Sequence, residues 1–338
     1  MKTVVKKVML GAIRSVRRVK WVRRLMDEEA NQFSLKSMRL DSVDILEGRW
    51  WEELDAIYTL CRRLLRANPD WRQDPCRVRD VAMKGYAMLH KLVDFEEKSF
   101  VDFGCGTHHP YAMAAVMYLQ GASSCLALDR NGADPKRSAE ALGDLVCDWI
   151  CFPGKWNWRG ISEDAYMKRV NQFNLEALLN GRLEEGLAGV PVRHLVHDMV
   201  NDVPLPDGSA DVLASWDVLE HVTNMQTTMN RLYAMMRPGG VAYHAIDLTD
   251  HRIHWNPNVH KWSFLANIDD FSDSGCSNRL RWCEIKPSIE RAGFKIIMCK
   301  KQIEPIPEGV KAQFIERFQS MPDEELNIVG VECVLQKP

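Results

Sequence analysis

The sequence lacks several features that would assign it to a class directly. In its 338 residues no 18 consecutive positions are apolar, so no membrane-spanning helix is predicted. No CxxC pair occurs among the ten cysteines, so neither a zinc site of the usual spacing nor a disulfide framework is predicted. The net charge of −2 excludes a surface built entirely for nucleic acid, and no nucleic-acid partner is expected. The 46% of hydrophobic residues suffices for a sizeable core in one large or two modest domains.

Positive charge is concentrated at the beginning of the chain. Residues 1–26 contain nine Lys or Arg and no acid, whereas the rest of the chain holds 35 basic and 46 acidic residues. Apolar residues recur in 1–26 at roughly helical spacing, which predicts a basic amphipathic helix within a helical extension over 1–50. Such a helix can lie on an anionic membrane surface, or it can pack on the protein body or on a second subunit. Both interpretations stay open, as does the oligomeric state.

No secretory signal is predicted in this segment, because charge interrupts its apolar residues throughout. Cysteines without a paired framework favour a reducing compartment. We therefore expect a cytoplasmic protein, with peripheral membrane contact through residues 1–26 as an option.

The apolar pattern divides the rest of the chain into a helical part and an alternating part. Residues 51–98 are predicted to form a helical cap, and residues 99–338 the main domain. Strands are predicted at 99–104, 125–129, 193–198, 211–216, 241–247, 294–299 and 328–336. Helical stretches separate most of them, which predicts an α/β fold with a mostly parallel sheet covered by helices on both faces.

Two segments, 130–192 and 248–283, are too long to be plain connections between strands. Long segments at the carboxyl ends of parallel strands often carry binding residues, so both are predicted to be active-site insertions. The first contains Trp149, Trp156 and Trp158. These tryptophans can brace the insertion as a hydrophobic cluster, or they can line a pocket, and the two interpretations are compatible.

Glycines after the first predicted strand indicate a ligand site. The strand ends in Asp102-Phe-Gly104-Cys-Gly106, where glycine allows the backbone to approach a ligand closely. Asp129 ends the next strand, where a carboxylate can bind both hydroxyls of a ribose. His109 stands where a dinucleotide fingerprint has its third glycine, so a ligand with a ribose and no pyrophosphate fits better.

The stretch from Asp102 to Thr107 resembles the first motif of class I S-adenosylmethionine-dependent methyltransferases, and the resemblance covers roughly residues 78–336. Segments similar to later motifs of that family follow in order, at 196–199, 204–222 and 232–240. The resemblance implies a seven-stranded Rossmann-like sheet with an antiparallel last hairpin, and S-adenosylmethionine as cofactor.

The resemblance also implies a role for each residue of the cofactor site. The methionine part of the cofactor would lie against the glycine turn, the ribose against an acid, the adenine against the third strand, and Trp216 would lie at the lip of the pocket. The residues implied are Asp102, Gly104, Cys105 and Gly106 for methionine, Asp129 for ribose, and Asp198 and Met199 for adenine.

Methyl transfer to a hydroxyl requires alignment of donor and acceptor and removal of one proton. The end of the fifth predicted strand carries the candidate base His251, with Asp247 or Asp250 to orient it, and His221 is the other candidate. No metal site is predicted, although the acids and histidines near 247–260 are the residue types that would suit one.

The acceptor is predicted to be a small molecule or a sugar-like compound, methylated on oxygen. Residues 215–218 read Ser-Trp-Asp-Val, where enzymes that methylate amino groups of bases and glutamines have an Asn-Pro-Pro-Tyr-type motif. Other classes stay open: N-methyl or aminopropyl transfer, a nicotinamide-linked reaction, or a binding protein that keeps the fold without catalysis.

Overall fold

A sheet of seven strands forms the centre of the computed structural model, which describes residues 75–198, 205–254, 256–266 and 277–338. The predicted extension over 1–50, the first part of the cap (51–74) and Met199 lie outside the described residues. Within the described residues no helix is both long and apolar enough to cross a membrane.

The strands follow the predicted runs closely. They are β1 Ser99–Phe103, β2 Ser124–Asp129, β3 Val192–Val196, β4 Ala210–Trp216, β5 Met236–Asp247, β6 Lys295–Ile303 and β7 Ile328–Gln336. Their order in the sheet is β3-β2-β1-β4-β5-β7-β6. The first five strands pair in parallel, and β7 runs antiparallel to both β5 and β6. The predicted fold class is confirmed, including the antiparallel last hairpin.

This strand order determines where a ligand can bind. The chain moves outward from β1 to β2 and β3, and then returns to place β4 on the other side of β1. Such a reversal opens a crevice at the carboxyl ends of the strands, where open α/β sheets bind their ligands. Phe103, Trp216 and Asp247 end β1, β4 and β5 at that edge.

Alternate residues of the central strands fill two hydrophobic cores, one on each face of the sheet. Phe100 and Tyr243 belong to the core on one face, and Val101 and Ala242 to the core on the other. Burial of both faces explains why these strands are recognisable as nearly continuous apolar runs. A third, smaller cluster surrounds Trp262 and Phe318.

Eleven α-helices are found in the described residues. Their bounds are α1 Pro75–Leu89, α2 Ala112–Leu119, α3 Pro135–Cys151, α4 Pro153–Trp156, α5 Glu163–Val170, α6 Leu175–Leu179, α7 Leu183–Gly186, α8 Met225–Met235, α9 Trp282–Arg291, α10 Glu316–Gln319 and α11 Asp323–Leu326. Helix α1 lies within the predicted helical cap over 51–98. Strand β5 begins at Met236, before the predicted run at 241, because Met236 pairs with Ala210 of β4.

The tryptophans of the segment 130–192 pack into the core. Trp149 and Trp156 are fully buried, with ring centroids 6.0 Å apart. The indole N–H of Trp156 donates to the carboxylate of Asp148 at 2.7 Å, and the amide of Gln120 donates to the Trp156 carbonyl at 2.8 Å. For these two tryptophans the bracing interpretation therefore describes the structure. Whether other parts of the segment contact an acceptor stays a prediction.

Candidate functional site

The glycine turn after β1 is tied to β2 and leaves space above it. The backbone N–H groups of Gly104 and Cys105 donate to the carbonyl of Leu128 at 2.7 and 3.1 Å. Gly104 and Gly106 have φ angles of 77° and 73°, a region that favours glycine. A Cβ at Gly104 would collide with Val218, whereas a Cβ at Gly106 would meet nothing within 4 Å. Packing thus requires the first glycine, and the second leaves room for a ligand.

Asp129 lies beside this space. Its carboxylate oxygens accept backbone N–H groups of Gly106 at 2.9 Å and Asn131 at 2.8 Å, which fixes the orientation of the side chain. An ionised carboxylate has about four acceptor positions, so lone pairs remain for the hydroxyls of a ribose. The geometry fits the predicted ribose contact.

Asp102, in β1, is only 2% exposed. Burial, together with the nearby charge of Asp129, raises the pKa of Asp102 well above its usual range. A cationic group bound next to this carboxyl would counteract both effects, and the ammonium of a methionine moiety is such a group. Burial also raises the pKa of the Cys105 thiol, which therefore offers no thiolate at neutral pH.

Two of the remaining predicted cofactor residues, Asp198 and Trp216, lie at the same edge, and Met199 is outside the described residues. Asp198 is exposed just beyond the end of β3, and the preceding N–H of His197 donates to the Asp129 carbonyl at 2.7 Å. The ring of Trp216, at the end of β4, lies 5.9 Å from that of Tyr243. The indole nitrogen of Trp216 is buried and has no hydrogen-bond partner among the described residues.

A cluster of acids and histidines forms where β4 and β5 end. A short 3₁₀ turn, Leu219–His221, follows β4, and another, His251–His254, follows β5. The Nε2 atom of His251 lies 3.5 Å from a carboxylate oxygen of Asp247 and 4.0 Å from Oε1 of Glu220. The rings of His221 and His251 meet edge to face with centroids 4.9 Å apart. The structure thus brings the three predicted catalytic residues together.

Glu220 is a member of this cluster that the sequence analysis did not select. Its side chain is 1% exposed, and its Oε1 atom accepts the backbone N–H of Asp247 at 3.2 Å. Burial, followed by the charge of Asp217, raises the pKa of Glu220 well above its usual range. The available sequence signal was an acid directly before His221 in an otherwise apolar stretch.

Asp250, predicted as an alternative partner of His251, has a different role. It is completely buried, and its carboxylate pairs with the guanidinium of Arg252 at 2.7 Å. It also accepts the backbone N–H of Arg252 at 3.0 Å. Asp250 therefore stabilises the turn, and Asp247 is the carboxylate next to the imidazole.

The end of the second predicted insertion, 248–283, fixes both turns of the cluster. The side-chain amide of Asn278 donates to the carbonyls of Leu219 and Val222 at 2.8 and 3.0 Å. The buried guanidinium of Arg281 donates to the carbonyl of Leu248 at 2.7 Å, directly after β5. These long-range contacts hold the groups of the cluster in position.

Comparison with known proteins identifies the family. A family model described as a methyltransferase domain matches residues 71–298, which is more than half of the chain. A curated protein from Mycolicibacterium smegmatis, described as a probable S-adenosylmethionine-dependent methyltransferase, is 27% identical over 100 residues. That match covers 30% of this chain and 34% of the relative, so the chain spans about a third of the length of the curated relative it matches.

Two solved structures of S-adenosylmethionine-dependent methyltransferases are among the similar ones. The protein from Mesorhizobium loti is 15% identical, with a TM-score of 0.42 over 76% of this chain and 99% of the other. The protein from Methanosarcina mazei is 13% identical, with a TM-score of 0.43 over 75% of this chain and 97% of the other. On the match of the family model, the chain belongs to the methyltransferase domain family, as a class I member whose cofactor is S-adenosylmethionine.

Proposed function

We propose that the protein transfers the methyl group of S-adenosylmethionine to a hydroxyl oxygen of a small molecule or a sugar-like acceptor. The observation that carries this proposal is the position of the acid–histidine cluster. It lies at the ends of β4 and β5, on the same edge of the sheet as the glycine turn of β1. A proton acceptor next to the transferred methyl is what a hydroxyl acceptor needs.

In this proposal the glycine turn and three acids bind the cofactor. Asp102, Gly104, Cys105 and Gly106 contact its methionine part, Asp129 its ribose, and Asp198 with Met199 its adenine. The buried carboxyl of Asp102 and the open space at Gly106 support these positions. The bound cofactor supplies a methyl group already activated by its sulfonium, so the protein has little covalent chemistry to perform.

The cluster performs the remaining chemistry. His251 accepts the proton of the acceptor hydroxyl, Asp247 orients its imidazole at 3.5 Å, and His221 contacts the same ring. Two turns held by hydrogen bonds keep these groups aligned with the methyl group, which contributes to rate through orientation. The acidic character of the chain after residue 26 supports a small acceptor over a polyanion.

Two measurements test the proposal. Calorimetric titration should show that the full chain binds S-adenosylmethionine and binds NAD at least tenfold more weakly. Transfer of labelled methyl groups should then be measured with matched acceptors, each sugar hydroxyl compound paired with its amino analogue. Methylation of the hydroxyl members supports the proposal, whereas exclusive methylation of the amino members overturns the assignment to oxygen. Tighter binding of NAD would overturn the function itself.

We also propose that residues 1–26 bring the protein to anionic membrane surfaces. The support is the concentration of nine basic residues in a segment without acids, where apolar residues recur at roughly helical spacing. The catalytic proposal does not depend on this one.

A further inference from the structure

Three side chains of the cluster carry atoms that can bind a metal and that lie close to one another. Glu220 and His221 lie in the turn after β4, and His251 lies in the turn after β5. One oxygen or nitrogen atom from each lies within 4.8 Å of the other two. We propose that these three residues bind one divalent transition-metal cation.

Unsatisfied buried atoms give independent support. Glu220 is 1% exposed, and its Oε2 atom has no hydrogen-bond partner among the described residues. The Nε2 atom of His251 is likewise buried without a hydrogen bond. Buried polar atoms without partners are costly and infrequent in native proteins. A cation between these two atoms would satisfy both at once.

The chemistry of the ligands indicates which cations fit. Two imidazole nitrogens and one carboxylate oxygen suit Zn²⁺, Co²⁺, Mn²⁺ or Fe²⁺, whereas Mg²⁺ and Ca²⁺ prefer oxygen ligands alone. Ligand atoms of a tetrahedral zinc site are about 2.0–2.2 Å from the metal, and hence about 3.4 Å from one another. The ligand atoms of Glu220, His221 and His251 lie within 4.8 Å of one another, so metal binding requires these three side chains to move closer together. Three protein ligands leave one position open for an oxygen of the acceptor.

This inference deepens the proposed function and rests on it for its chemical consequence. A cation that binds the acceptor hydroxyl lowers the pKa of that hydroxyl, as zinc does for water. The O–H proton then leaves to the Asp247 carboxylate. A new bond forms between the acceptor oxygen and the methyl carbon as the S–CH₃ bond breaks. The electron pair of the broken S–CH₃ bond stays on sulfur, which becomes a neutral thioether. The cation keeps its oxidation state. With the cation bound, His251 is a metal ligand and no longer accepts the proton. The cation then activates the acceptor hydroxyl in place of His251.

Metal binding can be measured without any activity assay. The full chain, freed of metal by a chelator and dialysis, would be titrated with Co²⁺ and followed by visible absorption. The variants are Glu220→Gln, which keeps the size of the buried side chain, and His251→Ala. The control is His254→Ala, an exposed histidine of the same 3₁₀ turn. Thermal unfolding followed by circular dichroism shows that each variant is folded.

We expect one Co²⁺ per chain in the unaltered protein and in His254→Ala. In Glu220→Gln and in His251→Ala the affinity should fall at least tenfold, and Zn²⁺ should displace Co²⁺ from the unaltered protein. Absence of Co²⁺ binding in the unaltered protein, or equal affinity in all variants, would overturn the metal site.

Methyl transfer to a hydroxyl acceptor, before and after chelation, separates this inference from the proposed function. Full activity in a chain that binds no Co²⁺ refutes the metal site and leaves the proposed function standing. Binding of Co²⁺ that depends on Glu220 and His251, without methylation of any hydroxyl, supports the metal site and refutes O-methylation. Activity that chelation abolishes and Zn²⁺ or Co²⁺ restores supports both.

Discussion

The backbone N–H of Gly106 donates to the carboxylate of Asp129 at 2.9 Å, and this bond joins the turn after β1 to the end of β2. The carboxylate is held by this bond and by Asn131 before any ligand arrives. Preorganised acceptors of this kind reduce the entropy that a ligand must lose on binding. The glycine turn and Asp129, the residue predicted to bind the ribose, therefore form one preorganised site.

Replacement of Asp129 by Ala should weaken S-adenosylmethionine binding by about ten- to a hundredfold, because charge-assisted hydrogen bonds contribute about 1.5–3 kcal/mol. Calorimetric titration measures this loss of affinity directly. Asp134→Ala is the matched control, since Asp134 is an exposed acid nearby whose side chain caps α3. Cofactor affinity in Asp129→Ala equal to that of the unaltered protein would show that the ribose binds elsewhere.

Substitutions at the two glycines should have different consequences. Gly104→Ala places a Cβ against Val218 at a left-handed φ, and should destabilise the fold by about 1–3 kcal/mol. The additional change Val218→Ala should restore part of that loss. Gly106→Ala should lose less stability, about 1 kcal/mol from its left-handed φ alone, and should lower cofactor affinity, because its Cβ enters open space. Chemical unfolding and calorimetry measure the two effects, and equal effects on stability would contradict the assignment.

His251→Ala should lower turnover with a hydroxyl acceptor by about 10²–10⁴ and leave S-adenosylmethionine affinity unchanged. The reason is its position between Asp247 and Glu220, since His251 is not among the residues proposed to bind the cofactor. His254→Ala serves as the control and should stay within threefold of the unaltered rate. If the turnover of His251→Ala also stays within threefold of the unaltered protein, catalysis depends on orientation alone, and the acceptor is already nucleophilic without a base.

The stability contributed by His244 should decrease in mild acid, whereas the buried carboxyls of Asp102 and Glu220, whose pKa values are raised, act in the opposite direction. His244 is fully buried in β5, its Nδ1 atom hydrogen-bonded to Ser215 at 2.7 Å, and burial lowers its pKa from 6.5 to about 3. Between these pH values the unfolded chain binds a proton that the folded protein does not. The contribution of His244 to the free energy of unfolding should therefore fall as pH falls from about 6.5 towards 3, by at most about 1.4 kcal/mol per pH unit.

Denaturant titrations at several pH values measure this dependence. In His244→Asn, which keeps a polar partner for Ser215 and does not titrate, the slope over that pH window should be smaller. An identical slope in the variant would assign the acid sensitivity to other groups.

Removal of residues 1–26 should leave methyl transfer to a soluble acceptor within threefold of the full chain, because the motifs of the site begin at residue 99. Flotation with anionic vesicles tests the membrane role separately. The full chain should float with them at low salt, and the shortened chain should not. A shortened chain that is folded but inactive would contradict the first expectation, and equal flotation of both chains would contradict the second.

The sequence alone was sufficient for the fold and for the cofactor. Each central strand is buried on both faces, so it is visible as an apolar run, and the strands come in the order of their motifs. The turn from Asp102 to Gly106 is equally local, since its backbone angles depend on the glycines themselves. Strand burial and the conformation of the glycine turn depend on short stretches of sequence and can therefore be predicted from them.

The tertiary structure alone decided which side chains meet. Glu220 and His251 are 31 positions apart in the sequence and come within 4.0 Å because β4 and β5 lie side by side. Asp250 was an equally plausible partner of His251 in the sequence, but its carboxylate pairs with Arg252. Trp149 is buried in the core. These side-chain positions depend on the path of each turn, which distant residues such as Arg281 fix through hydrogen bonds to the backbone. Contacts over such separations leave no periodic signal in the sequence, which is why the cluster could be predicted only in part.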